Sequence, residues 1–293
     1  MPGISRDTEN RLHPSGRRAP LQADQLAEFI ETHAPLFVLT GAGCSTGSGI
    51  PDYRDDNGEW KHGKPVQYAD FLSSGHARRR YWARSLSGWP RVEGSRPNGA
   101  HTALAELERT GLIEVVCTQN VDTLHEKAGS AAVIDLHGRL DSVECLECDA
   151  RYSRALIQDR LLELNPGYQS AGAASAPDGD VLLDRSFDDF VLVSCDHCGG
   201  VLKPQVVFFG ENVPAARVER AMNALERSRG MLVVGSSLMV YSGYRFCRRA
   251  RELGKPVAAV NRGKTRADAA MALKVSMDCE ETLQRVAGVL CGR

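Results

Sequence analysis

The sequence predicts a doubly wound α/β fold with a parallel sheet, interrupted by a small inserted module. Four short apolar runs have the aliphatic and β-branched character of buried parallel strands, and helical patterns lie between them. From about residue 139 this periodicity stops, and two pairs of cysteines appear. Strands alternating with helices indicate a layered α/β domain, and the cysteine-rich stretch indicates an insertion within it.

Length and composition limit the classes of protein that fit. The 293 residues, 42% of them hydrophobic, can fill a sizeable core, and a net charge of −1 favours neither nucleic acid nor an anionic membrane. The first 20 residues lack the apolar segment of a secretory signal, and no run approaches the 18 apolar residues of a membrane span. We therefore expect a cytoplasmic protein without nucleic-acid or membrane partners, and a disordered tail at 1–20. The oligomeric state is not indicated.

Each of the four predicted strands ends in small or amide residues. The strands are LFVL at 36–39, EVVC at 114–117, MLVV at 231–234 and VAAV at 257–260, and TGAG, TQN, GSS and N follow them. Helices are predicted at 101–111 and 215–230, each ending at a glycine. Ordinary turn formation explains such residues at any one strand end. Since ligands of open α/β sheets bind beyond the carboxyl ends of the strands, four such ends together predict one binding crevice.

Residues 139–202 are predicted to form the inserted module, and residues 21–138 and 203–293 the larger domain. The stretch 139–202 contains CLEC, CDHC and the low-complexity segment QSAGAASAPDGD at 169–180, which is typical of a flexible surface loop. Strand-like patterns resume at residue 203, so the chain is expected to return there to the larger domain.

The two CxxC pairs are typical of a structural zinc site. Each pair can direct two thiolates at one ion, and together they offer a closed tetrahedral set of four sulfurs. The predicted ligands are Cys145, Cys148, Cys195 and Cys198. Four protein ligands leave no position for water, so this zinc would hold the module together and not catalyse. Two redox dithiols or an iron–sulfur cluster are the alternatives. Most of the other five cysteines are expected to be small buried hydrophobic residues.

The segment GAGCSTGSGIPDYRD at 41–55 begins like a dinucleotide-binding turn and then departs from one. Gly41 and Gly43 permit a tight turn and a close approach to a pyrophosphate, but Thr46 stands where the fingerprint has its third glycine. A stiffening proline, a carboxylate, an aromatic ring and a guanidinium then follow: Pro51, Asp52, Tyr53 and Arg54. These groups exceed what holding a cofactor requires. They predict a loop that grips and strains the dinucleotide.

Polar residues after the second strand and one histidine complete the candidate site. Asn120 and Asp122, in TQNVD, can hydrogen bond ribose hydroxyls or a carboxamide. His137 follows, between these residues and the cysteine module. A lone histidine is commonly structural or solvated, but a neutral imidazole in this position can act as a general base near pH 7.

Taken in chain order, these motifs resemble those of the sirtuins. The resemblance covers about residues 25–285 and rests on GAGCSTGSGIPDYR, TQNVD, LHG, the two CxxC pairs, VVFFGE at 206–211, VVGSS at 233–237 and VN at 260–261. Cys44 and Met239 replace a usual isoleucine and glutamine, with similar size. The segments RYWAR at 80–84, GW at 88–89, PDGDV at 177–181 and VYSGYRF at 240–246 are similar to the class II branch, which includes the mitochondrial sirtuin 4 type.

The resemblance implies a Rossmann-like NAD-binding domain, one structural Zn²⁺, and an enzyme that consumes NAD. In that chemistry the acyl oxygen of a modified lysine attacks the anomeric carbon of the nicotinamide ribose, and nicotinamide leaves. His137 then takes a proton from a ribose hydroxyl, and the acyl group passes to ADP-ribose. The implied partners are acyl-lysine proteins or peptides, and the implied activity is that of an NAD-dependent protein deacylase.

The resemblance also assigns roles to residues. His137 and Asn120 match the catalytic residues. Those that match NAD contacts are Gly41, Ala42, Gly43, Ser45, Pro51, Asp52, Tyr53, Arg54, Gln119, Asn120, Val121, Asp122, Gly235, Ser236, Ser237, Asn261, Arg262, Gly263 and Cys279. The acyl-peptide channel matches Val207, Phe208 and Gly210, on an extended edge that could pair with a peptide backbone. Of Phe208 and Phe209, one is expected to be core packing.

Tyr81 and Arg84 form a candidate acyl-recognition pair. Three positions apart on a predicted helix, they share a face, and a tyrosine hydroxyl with a guanidinium could hold a carboxylate-ended acyl group. A similar Y-x-x-R pattern marks sirtuins that remove succinyl groups. The alternative is that this arginine-rich stretch forms a solvated basic face.

Three other functions compete with deacylation. The same NAD cleavage could serve mono-ADP-ribosyl transfer onto a protein. The cysteine module could read nucleic acid, although its many acidic residues and the lack of an aromatic and basic stripe argue against that function. A conventional NAD oxidoreductase is disfavoured by Thr46 in place of a glycine.

Overall fold

The structure is a computed structural model that describes residues 22–61, 65–168 and 186–292. The predicted disordered tail at 1–20 and the low-complexity segment at 169–180 lie outside these residues. Within them, no helix combines the length and the apolar character needed to cross a membrane.

The strands and helices alternate over most of the chain. The strands are β1 (Leu36–Thr40), β2 (Ile113–Thr118), β3 (Val133–Asp135), β4 (Gly138–Cys145), β5 (Arg151–Ser153), β6 (Leu202–Val206), β7 (Gly230–Val234), β8 (Val257–Val260) and β9 (Leu273–Val275). The α-helices are α1 (Gln22–His33), α2 (Tyr68–Ser73), α3 (Gly75–Gly94), α4 (Gly99–Arg109), α5 (Leu124–Lys127), α6 (Arg154–Leu164), α7 (Ala215–Arg227), α8 (Tyr241–Glu252) and α9 (Cys279–Cys291).

Six parallel strands form the main sheet, in the order β3-β2-β1-β7-β8-β9. The chain builds one half outward from β1 and then returns to build the other half from β7, so the strand order reverses between these two strands. Ligands of such sheets bind beyond the carboxyl ends of the strands at this reversal. The doubly wound parallel fold and its four predicted strands are thus confirmed. The strands β3 and β9 were not predicted, because three residues are too few for a recognisable apolar run.

Both faces of the main sheet are covered by helices. Along β1, Leu36 and Val38 face a core formed with α1, α4 and α9, whereas Phe37 and Leu39 face a core formed with α7 and α8. This alternation explains why the strand is apolar throughout, since each of its faces is buried. The helices predicted at 101–111 and 215–230 correspond to α4 and α7. Helix α4 begins earlier than its apolar pattern because Asn98 caps it.

A second, antiparallel sheet has the strand order β5-β4-β6 and packs with α2, α3 and α6. Its core contains Trp82 and Trp89 of α3. The centres of their rings lie 5.3 Å and 5.2 Å from the guanidinium carbon of the buried Arg154. Helices α2 and α3 precede the stretch 139–202, so this core extends beyond the residues predicted for the inserted module. The packing places α3, and Tyr81 on it, beside the carboxyl ends of the main sheet.

Candidate active site

A cavity of about 700 Å³ lies beyond the carboxyl ends of β1, β2, β7 and β8. Its volume is within the range of cofactor and ligand sites. The predicted residues that line it are Gly41, Ala42, Gly43, Ser45, Asp52, Tyr53, Arg54, Tyr81, Gln119, Asn120, Val121, Asp122, His137, Val207, Phe208, Gly210, Gly235, Ser236, Ser237, Asn261, Arg262, Gly263 and Cys279. Pro51 and Arg84 are not among the lining residues. The predicted crevice at four strand ends is therefore present.

Glycines allow the loop after β1 to lie directly on the loop after β7. The amide of Gly43 donates to the carbonyl oxygen of Gly235 at 2.9 Å, and a Cβ atom on Gly43 would lie 2.9 Å from that same oxygen. Gly235 has a φ of +60°, and a Cβ atom there would overlap the backbone nitrogen of Cys44. The glycines thus have a packing role in addition to the predicted approach to a pyrophosphate.

Ser45, Asn120 and Asp122 form a buried hydrogen-bonded group. The Ser45 hydroxyl donates to Asp122 Oδ2 at 2.7 Å, and Asn120 Nδ2 donates to Ser45 Oγ at 2.9 Å. Asp122 Oδ1 accepts from the amide of Leu124 at 3.0 Å. Burial raises the pKa of Asp122, and these hydrogen bonds from Leu124 and Ser45 lower it in part. The group holds a carboxylate and an amide in fixed positions at the cavity wall.

His137 has a defined tautomer. Its Nδ1 lies 3.0 Å from the carbonyl oxygen of Gln119, which can only accept, so Nδ1 carries the proton. Burial, with smaller contributions from the nearby Arg217 and Arg245, lowers the pKa of His137 to about 4, although the hydrogen bond to Gln119 acts in the opposite direction. The ring is therefore neutral at pH 7, and Nε2 is a proton acceptor on the cavity side, as a general base requires.

Gln119 connects the strand ends around His137. Its Nε2 donates to the carbonyl oxygen of Thr40 at 3.1 Å and to Ser236 Oγ at 2.7 Å. The end of β2 is thereby tied to the ends of β1 and β7. Beyond β8, Arg262 forms a 2.9 Å ion pair with Asp278, and both residues line the cavity.

The loop from Asp52 to Lys61 is closed by its own contacts. Asp52 Oδ1 lies 2.6 Å from Lys61 Nζ, and the Arg54 guanidinium lies 4.1 Å from the ring centre of Trp60. Arg54 also donates to the carbonyl oxygen of Gly58 at 2.7 Å. Trp60 and Lys61 line the cavity but were not predicted as site residues. In this structure Arg54 thus stabilises the loop at the edge of the cavity through contacts within the loop itself.

The segment after β6 forms the wall predicted to receive the acyl-peptide. The amide of Val207 donates to the carbonyl oxygen of His137 at 2.7 Å, and the amide of Phe208 donates to Glu211 Oε2 at 2.8 Å. Glu211 Oε2 also forms an ion pair with the buried Lys203, whose Nζ lies 3.2 Å away. Phe208 is buried in the second core, whereas Phe209 is only partly buried. Core packing was expected of one of these phenylalanines, although both line the cavity.

Tyr81 and Arg84 are placed differently with respect to the cavity. Tyr81 lies on α3, is 6% exposed, and its ring centre lies 5.0 Å from that of Phe208. Arg84, one turn further along α3, does not line the cavity. The structure therefore brings only one member of the predicted acyl-recognition pair to the site.

The four paired cysteines converge as zinc ligands do. The sulfur of Cys145 lies 3.5 Å from that of Cys198, and the sulfur of Cys148 lies 3.6 Å from that of Cys195. All four sulfurs lie within 4.8 Å of one another. A tetrahedral zinc with bonds of about 2.3 Å needs sulfurs about 3.8 Å apart, so the set fits one structural Zn²⁺.

A second cluster, formed by Cys44, His101 and His125, adjoins the cavity residue Ser45, whose hydroxyl oxygen lies 3.4 Å from His101 Nε2. Burial raises the pKa of the Cys44 thiol well above its usual value and lowers the pKa of His101 to about 4 and that of His125 to about 3. All three groups are therefore neutral. His125 Nε2 lies 2.9 Å from the hydroxyl of Thr40, and His101 Nδ1 lies 2.9 Å from Asn98 Oδ1. We interpret the cluster as packing that supports the loop at Ser45.

Residues 41–242 match the family model described as the Sir2 family. The chain belongs to the Sir2 family, the sirtuins. This sirtuin is 58% identical over 259 residues to an NAD-dependent protein deacetylase of Xanthomonas axonopodis pv. citri (strain 306), with 88% of each chain covered. It is 53% identical over 266 residues to NAD-dependent protein deacetylase 2 of Bradyrhizobium diazoefficiens, with coverage of 90% of this chain and 97% of that protein.

Solved Sir2 structures share the fold of this sirtuin. A structure of Sir2 with a p53 peptide and NAD⁺ has a TM-score of 0.72 and 33% sequence identity, and the match covers 89% of this chain and 95% of that chain. A crystal structure of Sir2 with an inhibitor, 2′-O-acetyl-ADP-ribose and a deacetylated p53 peptide has a TM-score of 0.70 and 32% identity, covering 89% and 96%. The predicted sirtuin fold is confirmed.

Several lining residues of this sirtuin were not predicted as site residues. Ser242 and Arg245, on the first turns of α8, line the cavity beside His137. Both belong to VYSGYRF at 240–246, a segment that was interpreted only as a feature of the class II branch. The signal that could have found them is their position after β7, since the loop following GSS must continue along the same crevice.

Proposed function

We propose that this sirtuin is an NAD-dependent protein lysine deacetylase that transfers the acyl group to ADP-ribose and releases nicotinamide. The observation that carries the proposal is the neutral His137, whose Nε2 is a proton acceptor in a dinucleotide-sized cavity. The curated relatives from Xanthomonas and Bradyrhizobium, both named as NAD-dependent protein deacetylases, support the same activity.

NAD would lie across the crevice formed by the strand ends. The glycines bring the loops after β1 and β7 close together, and the backbone of both loops lines the part of the cavity proposed for the diphosphate. The fixed amide of Asn120 and carboxyl of Asp122 suit the nicotinamide and its ribose, both of which have several hydrogen-bonding groups. Asn261, after β8, is suited to the adenosine end. These roles follow the motif positions, and the cavity geometry supports them.

His137 would act after nicotinamide has left. Its Nε2 accepts the proton of a ribose hydroxyl, which allows that oxygen to attack the acyl carbon. The bond from Nδ1 to the Gln119 carbonyl holds the ring in the tautomer that this step needs. Burial also favours this step, because it lowers the pKa of the imidazole and so keeps the ring unprotonated at neutral pH.

The acyl-lysine peptide would bind along Val207, Phe208 and Gly210. The Val207 amide is already bonded to His137, so this segment is fixed in position beside the general base. Zinc at the four cysteines would hold β4, which begins at Gly138 directly after His137, and β6, which ends directly before Val207, in one sheet. The metal would supply no chemistry at the reacting atoms, because its four sulfur ligands close its coordination.

We also propose the class II branch and a cytoplasmic location. The branch rests on RYWAR, GW and VYSGYRF, while PDGDV at 177–181 lies outside the described residues. The relatives named above are bacterial, which points away from the mitochondrial sirtuin 4 type. We therefore propose only that the chain shares the class II motifs, and not that it is a sirtuin 4. The location rests on cysteines that are free thiols, such as Cys117 and Cys247, as is usual in reducing compartments.

The test is incubation of the purified, zinc-loaded protein with NAD and a panel of acetyl-, succinyl-, glutaryl-, lipoyl- and long-chain-acyl-lysine peptides. Free nicotinamide and peptide mass are followed, with His137→Ala as the control. Peptide-dependent nicotinamide release with loss of the acyl mass, absent from the variant, is expected. A protein that gains the mass of ADP-ribose without deacylating a peptide would instead establish mono-ADP-ribosyl transfer. Absence of nicotinamide release from every peptide would overturn the proposed deacylase.

A further inference from the structure

Ser242 is hydrogen bonded to the basic nitrogen of His137. Its hydroxyl oxygen lies 2.8 Å from His137 Nε2. Because Nδ1 donates to the Gln119 carbonyl, Nε2 has no proton, and the serine hydroxyl must donate to it. Ser242 is on the first turn of α8 and lines the same cavity as His137. The lone pair that the general base would use is therefore already held by a protein hydroxyl.

This contact leaves two routes for a substrate proton. A ribose hydroxyl can displace Ser242 and reach Nε2 directly, or it can pass its proton through Ser242. We propose the second route: Ser242 is a proton-relay residue between the substrate hydroxyl and His137. The inference rests on the proposed deacylase function and adds a residue to it.

The relay is balanced in protons and electrons. As the ribose O–H bond breaks, its proton bonds to Ser242 Oγ, while the original Ser242 proton moves to His137 Nε2. The ribose oxygen keeps the electron pair and forms the bond to the acyl carbon, while the π bond between that carbon and the lysine nitrogen breaks and its electron pair moves to the nitrogen. Ser242 ends the step as a neutral hydroxyl, and His137 ends it as an imidazolium that still donates to the Gln119 carbonyl. No further reactant is needed.

The surroundings of His137 favour a relay that does not need His137 to move. Arg217 of α7 and Arg245 of α8 are the charged groups that act on the ring, and both oppose its protonation. While Nε2 is unprotonated the Ser242 hydroxyl donates to it, and once Nε2 carries a proton the same hydroxyl can rotate and accept that hydrogen bond, so Ser242 can hold the ring before and after the proton transfer. Removal of the hydroxyl must therefore change the hydrogen bonding of Nε2, without any substrate present.

The first experiment measures this effect in the protein without NAD. The Nε2 nitrogen resonance of neutral His137 is recorded by NMR in the unaltered protein, Ser242→Ala and Ser242→Thr, with His137→Ala to assign the signal. A shifted Nε2 resonance in Ser242→Ala, and one near the original in Ser242→Thr, is expected, because only the alanine variant removes the hydrogen-bond donor to Nε2. An unchanged Nε2 resonance in Ser242→Ala would overturn the proposal, because the hydroxyl would then not hold Nε2 in solution.

The second experiment separates the relay from displacement. Nicotinamide exchange reports the cleavage of NAD, and O-acetyl-ADP-ribose formation reports the later proton-dependent step. The relay predicts that Ser242→Ala retains exchange but forms O-acetyl-ADP-ribose about 100-fold more slowly, and that Ser242→Thr recovers most of the rate. Product formation in Ser242→Ala at or above the original rate would refute the relay in favour of displacement. If the unaltered protein shows no exchange, the proposed function fails, and the NMR measurement still decides whether Ser242 holds His137.

Discussion

The Ser45 hydroxyl donates a 2.7 Å hydrogen bond to Asp122 Oδ2 and so joins the loop after β1 to the loop after β2. Both residues are buried, and Asn120 completes the group by donating to the same serine oxygen. Burial of the carboxyl has a cost that its hydrogen bonds offset only in part, since the pKa of Asp122 remains raised. A site residue therefore opposes the stability of the fold at neutral pH.

Asp122→Asn is predicted to stabilise the protein while it lowers activity. A carboxyl with a raised pKa in the folded state favours folding below its unfolded pKa, near 4, and loses that contribution as pH rises through the folded value. The variant should therefore gain Tm at pH 8 relative to the unaltered protein and gain little at pH 4. NAD cleavage should fall, because the amide bears no charge. The same change at the exposed Asp159 should alter neither property, and a lower Tm for Asp122→Asn at pH 8 would contradict the argument.

Acid should destabilise the protein between pH 6.5 and pH 4. Burial lowers the pKa of His101 to about 4 and of His125 to about 3, so each favours folding above pH 6.5 and loses that contribution as pH falls. At about 1.4 kcal/mol per pKa unit, either histidine alone can remove roughly 3 kcal/mol by pH 4. Urea unfolding at pH 7.5, 6 and 5 measures this.

The histidine variants identify the source of the acid sensitivity. His125→Asn should flatten the dependence of unfolding free energy on pH, even if it lowers the value at pH 7.5. The exposed His76→Asn removes only a surface ion pair with Asp188 and should change the slope far less. Equal slopes in His125→Asn and the unaltered protein would show that groups other than this buried histidine govern acid unfolding.

Gly235→Ala should disrupt the cavity more than an equally strained glycine substitution elsewhere. Gly235 and Gly111 have φ values of +60° and +78°, so alanine is strained at both positions. Only at Gly235 would the new Cβ atom meet neighbouring backbone, because at Gly111 nothing lies within 4 Å. We expect Gly111→Ala to cost about 1 kcal/mol and Gly235→Ala at least about 2 kcal/mol more. Urea unfolding measures both, and calorimetry should show NAD binding lost only in Gly235→Ala.

Zinc removal should abolish peptide binding before it abolishes the fold of the main sheet. Cys148→Ser breaks the four-sulfur set, whereas Cys291→Ser changes a cysteine at the end of α9, away from that set. The first variant should lose the one bound zinc per chain, measured by elemental analysis, and its affinity for acyl-peptide. The second should keep both. Full peptide binding by metal-free Cys148→Ser would show that the antiparallel sheet is stable without zinc.

Arg84→Ala should not change the preference among acyl groups. Arg84 does not line the cavity, whereas Tyr81 packs within it against Phe208. The ratio of kcat/KM for acetyl-lysine to that for succinyl-lysine peptide should therefore stay the same in Arg84→Ala. The substitution Tyr81→Phe, which keeps the ring but removes the hydroxyl, gives the matched comparison. A selective loss of succinyl activity in Arg84→Ala would restore the acidic-acyl hypothesis.

The main sheet was predictable because each of its long strands is buried on both faces. Burial on both faces requires a continuous apolar run, such as LFVL at 36–39, which can be recognised in the sequence. The small and amide residues that follow these runs predict the position of the crevice. The short β3 and β9 carry too little pattern. The extent of the second core was also not predictable, because Trp82 and Arg154 meet only through tertiary packing between distant segments.

The site was predictable as a set of residues but not as a set of bonds. His137 and Asn120 could be selected from motif order, whereas the Ser242 hydroxyl on Nε2 depends on where α8 begins relative to β4. Similarly, helical spacing places Tyr81 and Arg84 on one face of α3, but it does not say which part of that face meets the cavity. Local periodicity specifies which residues share a face of a helix or strand, but it does not specify which other element that face contacts.

The bond from the Val207 amide to the His137 carbonyl has a mechanical consequence. Gly138, the residue after His137, begins β4 and pairs with Val206 of β6, so the backbone of the base and the peptide-receiving wall are parts of one ladder. The two ring nitrogens of His137, in contrast, are hydrogen bonded to Gln119 and Ser242 of the dinucleotide-bearing half. His137 is therefore a joint between the two halves, and any displacement of the peptide wall would act directly on the hydrogen bonds that orient the base.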